Sequence, residues 1–359
     1  MPAQSVHSLL GRPQVGWIPE SPSSALVMPQ CYFGIEMELE APPSNANPLT
    51  VYRDSVSLSS PLVSAVNDGS LRNGIELVFS RPLMGEQALN AIDHMYRARE
   101  ELGLVGSIRT STHVHVNFSE YDDTLDTLRS TVLAYLLIER AMAVTAGPHR
   151  EHNTYCPPTY VQSPSTERCF HLLATSGNQR DSLDYIRELS GDNNRYSAMN
   201  IGALYRHGTI EFRQLGTVPK EQLLLWINML LALKLCGRTY SGQQLLSEAT
   251  SLDQFVRTFL GEAGQQCLVI NDEGRTSFDF TRQRLIGVMP SNAVSRGSEM
   301  NGVFDTLSTT PQPFHLRRPV RLTDGYMQRE ERIVEQVTRS LPTSEHSSWS
   351  SDNDDALEF

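Results

Sequence analysis

An α+β fold built on an antiparallel sheet is what this sequence predicts. Two observations carry it. Several short segments alternate apolar and polar residues with the period of two that marks a strand, and they fall in pairs joined by turns. Between and after them run long stretches whose apolar residues recur at helical spacing.

Taken in order, residues 32–40 alternate apolar and acidic side chains through Glu36, Glu38 and Glu40 and read as a first strand. Residues 74–79 form a second, entered through the turn Asn67-Asp68-Gly69-Ser70. Residues 86–102 place Leu89, Ile92, Tyr96 and Leu102 on a helix stopped by Gly103. Residues 112–118 alternate again. A helix follows over about 124–144, apolar nearly all round near 131–138 and so expected to be central. Residues 147–158 read as a polar loop, and 181–190 as a short helix stopped by Gly191. Residues 196–204 and 209–215 read as two strands about the turn Arg206-His207-Gly208. Pro219 opens a helix to about Leu235. Beyond residue 240 the pattern loosens to a helix near 251–260, a loop-rich stretch over 285–322 and an amphipathic helix near 324–339.

The ends of the chain read differently. Residues 1–30 are rich in Pro, Ser and Gln and are expected to be a mobile arm. Residues 341–359 are polar and acidic, too poor in apolar surface to order themselves. Residues 241–340 are expected to extend the domain formed by 31–240. With 39% hydrophobic and 20% charged residues, the composition is that of a soluble protein with a sizeable core. A net charge of −11 without a basic cluster argues against nucleic acid as a partner. The longest apolar run, residues 223–235, falls short of the ~20 residues that a bilayer requires, so no membrane role is expected. Five scattered cysteines without CxxC spacing fit a reducing compartment, and the expected location is cytoplasmic.

The chemistry lies on one face of the strands. Glu36, Glu38 and Glu40 point the same way, roughly 7 Å apart between next neighbours. Alone, such a pattern is usually a solvated edge face. Other strands add to it: His113, His115 and Asn117 share a face, as do Glu211 and Arg213, while Glu76 sits between apolar Ile75 and Leu77. If the strands are neighbours, one surface gathers Glu36, Glu38, Glu76, His115, Glu211 and Arg213. Hard carboxylate oxygens with an imidazole suit Mg²⁺ or Mn²⁺. An arginine one pleat from a carboxylate ligand suits a metal-bridged phosphate.

These pieces, in order, are FGIEMELE at 33–40, DGSLRNGIELVFS at 68–80, THVHVNF at 112–118, HNTYCPP at 152–158, RYSAMNIGAL at 195–204 and GTIEFRQLGT at 208–217. Together they resemble the amidoligase family of the carboxylate–amine ligase superfamily, which includes glutamine synthetase and glutamate–cysteine ligase. The resemblance covers roughly residues 32–240. It implies a sheet of the glutamine synthetase/glutamate–cysteine ligase catalytic type, with helices on its outer face. It also implies roles: Glu36, Glu38, Glu76 and Glu211 as metal ligands, and His115, with His113 beside it, on metal or nucleotide phosphate. Arg213 would meet the γ-phosphate, and Arg195 and Asn200 would hold a phosphate or a substrate carboxylate. Asp68 and Ser70 are turn residues first and substrate contacts second. Where such enzymes often carry glycine before the histidine strand, this chain reads Ser111-Thr112.

The implied reaction uses ATP and Mg²⁺ to turn a carboxylate into an acyl phosphate, which an amine then opens to an amide or isopeptide. Small-molecule or peptide acids and amines are the expected partners, and a homo-oligomer is left open. The amine step needs a base, for which Glu40, His149 and His152 are candidates. A carboxylate needs no such help, being ionised at neutral pH. Two other readings compete: a metal-dependent hydrolase built on His113 and His115, and an inactive relative that binds nucleotide or peptide. A Cys156 nucleophile beside His149 and His152 is a minor alternative. No P-loop sequence is present.

Overall fold

The computed structural model describes residues 5–10, 31–42, 46–120, 123–151, 153, 155–159 and 196–288. Arg195, His152, the helix expected over 181–190, the one near 324–339 and the acidic tail lie outside these residues.

Six strands form one antiparallel sheet, in the order β2 (Val63–Val66), β3 (Gly74–Phe79), β1 (Phe33–Glu40), β4 (Ser111–Asn117), β6 (Thr209–Gly216) and β5 (Met199–Asn200). The alternation in β1 sets its faces. Phe33, Ile35, Met37 and Leu39 are buried on one side, leaving the acidic residues to the other. The strands pair so that the polar sides stack in rows. Glu38 lies opposite Glu76, Glu36 opposite His113, and His115 opposite Glu211. At β6 the register slips. Thr112 pairs with Leu215 but Val114 with Phe212, so Arg213 and Gln214 together oppose His113 in a bulge.

Eleven α-helices accompany the sheet among the described residues. They are α1 (Val6–Leu9), α2 (Pro48–Asp54), α3 (Gly85–Glu101), α4 (Leu125–Ala146), α5 (Pro148–Glu151), α6 (Ala203–His207), α7 (Lys220–Thr239), α8 (Gly242–Glu248), α9 (Leu252–Phe255), α10 (Gly261–Cys267) and α11 (Asp272–Val288). Gly103 at φ 61° ends α3 as its position predicts. Thr124 and Thr127 cap α4 reciprocally, and α4 is buried almost all round, as its composition implies. The apolar run 223–235 lies in α7, with Leu223, Trp226, Ile227 and Leu230 buried. Gly237 lets α7 pass close over α4, since a Cβ there would sit 2.7 Å from Thr127 O. Among the described residues no single helix is long and apolar enough to cross a membrane. The pair α7 and α8 reaches that length only together, bent by 104°.

Three expectations are corrected. Residues 196–204 are not one strand. Only Met199–Asn200 pairs, and Ala203–His207 is a helical turn closed by Gly208 at φ 69°. Ile201 and Leu204 are both buried three residues apart, a helical rather than an alternating spacing. Within the arm expected to be mobile, Val6 is buried and its N–H donates to Asp123 O at 2.7 Å. After residue 240 the helix expected near 251–260 is present as α9 continued by a π-helical turn over Val256–Leu260, and the described residues add α8, α10 and α11, the last reaching Val288 in the stretch expected to be loop. Their apolar anchors are sparse: Phe278 and Leu285 alone in α11 are fully buried. Phe278 packs at a tilt against Phe255, and Arg140 of α4 pairs with Glu273, so these helices share the core of α4 and α7.

Candidate active site

The polar face of the sheet is a buried cluster of charge. His113 and His115 are 3% and 8% exposed, Glu38 and Glu211 6% and 5%. Register brings them together. His113 Nδ1 lies 3.2 Å from Glu36 Oε2 and 3.4 Å from Glu211 Oε1, and His113 Nε2 lies 3.7 Å from Glu38 Oε1. His115 Nε2 lies 3.1 Å from Glu36 Oε1. Arg213 Nη1 donates to Glu211 Oε1, and Asn200 Nδ2 donates to Glu211 Oε2 at 2.7 Å.

Ser111 orders this cluster. Its N–H and its hydroxyl both donate to Glu38 Oε2, at 2.7 and 2.6 Å. The hydroxyl also lies 2.8 Å from His113 Nε2. A serine has one proton to give. With that proton directed at Glu38, the Ser111 oxygen accepts from His113 Nε2–H, and His113 Nδ1 faces Glu36 and Glu211. Similarly, Thr209 Oγ1 sits 2.9 Å from His115 Nδ1, leaving Nε2 toward Glu36.

The charges are unequally matched. Burial works to raise the Glu36 carboxyl, but the His115 and His113 imidazoles outweigh it and hold it well below the usual carboxylate range. Burial likewise opposes ionisation of Glu211, and Arg213 with the two histidines overcomes it. Burial would neutralise His115, whereas the Glu36 charge beside it holds its pKa up. Glu76 has no such help. Burial first, then the charges of Glu36 and Glu38, push its carboxyl well above the ordinary value.

Ligand atoms of Glu36, His113 and Glu211 all lie within 4.8 Å of one another, as do those of Glu38, Glu76 and His113. Oxygen-rich sets with one imidazole fit a hard divalent cation. A cation there would relieve the repulsion on Glu76. Arg213 Nε is buried without a hydrogen-bond acceptor, as a guanidinium awaiting an anion would be.

Of the site residues read from the sequence, Glu36, Glu38, Glu76, His113, His115, Asn200, Glu211 and Arg213 converge. The histidine shared by both triplets is His113, not His115, because the register sets His113 opposite Glu36. Glu40 does not join them. Its Oε1 accepts the Arg72 N–H at 3.0 Å, a strand-end role. Asp68 Oδ1 accepts the Ser70 N–H at 2.7 Å, the turn role expected. Cys156 is 2% exposed, its Sγ donates to Arg150 O at 3.6 Å, and burial pushes its thiol pKa up, which opposes a nucleophile. His149 is exposed and neutral-leaning, its pKa lowered by partial burial and by Arg150. Sequence reasoning missed Ser111 and Thr209 as partners of the two histidines. Each is a small hydroxyl residue at the end of its strand, and only the register shows what it faces.

No curated protein matches the chain. A family model described as "Putative amidoligase enzyme" matches residues 31–234, a span that holds all six strands and the whole cluster. With more than half of its length and its entire sheet inside that match, the chain belongs to the amidoligase family, a ligase-type family of enzymes.

Proposed function

We propose that the protein is an ATP-dependent carboxylate–amine ligase that makes an amide or isopeptide bond through an acyl phosphate, on a sheet of the glutamine synthetase/glutamate–cysteine ligase type. The observation that carries this reading is the row of Glu38, Glu76, Glu36, His113, Glu211 and Arg213 across four adjacent strands. It sets acidic ligands beside a guanidinium on one floor.

Mg²⁺, or Mn²⁺ in its place, would neutralise the charge that spreads over a transferring phosphoryl group. Glu36 and Glu211 with His113, and Glu38 with Glu76, are the residues that would hold it. Arg213 keeps its charge because Glu211 and the neighbouring Glu36 and Glu38 stabilise it against burial, so it is ready to pair with a phosphate oxygen. Asn200 and Arg213 between them hold both oxygens of Glu211, which fixes that carboxylate before any ligand arrives. Burial of the floor keeps water from competing with these contacts. Small-molecule or peptide acids and amines are the proposed substrates.

The test is ADP release from ATP and Mg²⁺ across pools of acids and amines, for the protein and for Glu38→Gln and Arg213→Ala. The protein is expected to release ADP only when acid and amine are both present, and each substitution to abolish release with the fold intact. Turnover retained by both variants would overturn the assignment. A metal-dependent hydrolase would act without nucleotide, and an inactive relative would bind nucleotide but release no ADP. The guanidinium set against Glu211 favours phosphate chemistry over water activation.

A further inference from the structure

Arg150 has no part in the reading above, yet it is 3% exposed and lies on α5, just behind the end of β6. Among the described residues its guanidinium donates to backbone carbonyls alone. Nε donates to Gln214 O at 2.9 Å and Nη2 to Arg213 O at 2.8 Å. Those are the carbonyls of the two bulge residues opposite His113. Among the described residues no carboxylate pairs with it. A buried cation with no counterion among the described residues is a costly way to brace a loop. Its fork has one geometric merit, since it grips two successive carbonyls at once.

The grip is anchored from behind. The Arg150 N–H donates to Gly147 O at 3.0 Å, and Arg150 O accepts from Cys156 Sγ and from the Asn153 N–H at 3.2 Å. On the far side of the bulge, the Arg213 N–H donates to Ala198 O at 2.9 Å. The peptide groups on either side of the Arg213 Cα are therefore held from two directions, which fixes the direction in which its side chain leaves the backbone. Regular alternation from Glu211 sets Arg213 on the same face, and the bulge adds Gln214 opposite the same histidine. There the Arg213 guanidinium meets Glu211 Oε1 and lies 3.4 Å from His113 Nδ1.

We infer that Arg150 is a positioning residue: it holds the β6 bulge by its two carbonyls and so aims Arg213 at the anion bound on the sheet floor. The identity of that anion as nucleotide phosphate rests on the ligase reading; the aiming of Arg213 does not.

The test uses the full chain with Arg150→Ala, Arg150→Lys, Arg213→Ala and the double variant Arg150→Ala/Arg213→Ala. Mg·ATP affinity is read by calorimetry, and amide hydrogen exchange is read over residues 209–218. Arg150→Ala is expected to weaken Mg·ATP roughly tenfold and to speed exchange within 212–216. Arg150→Lys, which keeps the charge and loses the fork, should behave like Arg150→Ala. In the Arg213→Ala background, Arg150→Ala should change affinity less than twofold, because the residue it aims is gone. Equal weakening in both backgrounds would mark a general structural role and overturn the inference, and so would full rescue by lysine. If the unchanged protein fails to bind Mg·ATP, the ligase reading falls and exchange alone decides: unaltered protection over 209–218 in both Arg150 variants then refutes the positioning role. Should Arg150→Ala not fold, Arg150→Lys carries the same comparisons.

Discussion

Glu76 is the member of the cluster whose charge is least supported. It is half-buried beside Glu36 and Glu38, and desolvation together with their repulsion drives its carboxyl pKa up. A residue that weakens the fold where it stands is explained if a ligand repays the cost. Glu76→Gln keeps the shape and removes the repulsion. Without divalent cations it should raise Tm by roughly 2–4 °C, read by calorimetry in chelator. The same variant should bind Mn²⁺ at least about tenfold more weakly, read by titration followed by electron paramagnetic resonance. A lower Tm in chelator, or unchanged Mn²⁺ affinity, would contradict the role given to Glu76. The residue types were legible in the sequence: the acidic alternation of β1, the paired histidines of β4 and the Glu-x-Arg of β6. The hydrogen bonds that choose between His113 and His115 were not, because Ser111 and Thr209 reach them from strand ends through a register that no local pattern encodes.

At the scale of elements, the sheet is only as well placed as the helices behind it, and α4 against α7 is the most extensive helix–helix contact among the described residues. Gly237 allows it, with Thr127 O and Thr131 N each 2.7 Å from where a Cβ would be. Gly237→Ala adds one methyl where both helix backbones would have to part, and is expected to cost about 1–3 kcal/mol. Urea denaturation measures it, and Mn²⁺ affinity should be unaltered, since the change lies behind the sheet. A neutral result would mean that the helices part freely. Strands and long helices could be read in advance because they repeat a period over many residues. The short Met199–Asn200 strand and the helical turn after it could not, since two to five residues carry too little pattern to outvote their surroundings. Of the helices after residue 240, α8, α10 and α11 escaped for a related reason: α11 is held by a few apolar residues on an otherwise charged helix.

For the molecule as a whole, a second charged cluster binds distant segments together. Lys234 is fully buried in α7, and its Nζ donates to Asn117 O, to Glu120 Oε1 at 2.7 Å and to Asp123 Oδ2 at 2.9 Å. Arg238 Nη2 donates to both acids at 2.8 Å, the Tyr32 N–H reaches Glu120 at 2.9 Å, and Val6 hangs from Asp123 O. Entry to β1, exit from β4, the start of α4, the end of α7 and the N-terminal helix thus meet at one ammonium. Lys234→Met leaves two buried acids with only Arg238 and is expected to cost about 3 kcal/mol. Adding Asp123→Asn should recover part of that loss, a coupling that a double-mutant cycle in urea would reveal; strict additivity would deny the network.

The sequence by itself determined the α+β class, the faces of the long strands, the burial of α4 and α7 and the residue types of the site, because each depends on periodicity or on chemistry carried by single side chains. Tertiary structure decided which strands are neighbours, where β6 bulges, that His113 stands between the two acidic groups, and that Lys234 gathers five segments. Those depend on contacts between residues far apart in the chain, whose pairing is chosen by the packing of the whole core rather than by any window of sequence.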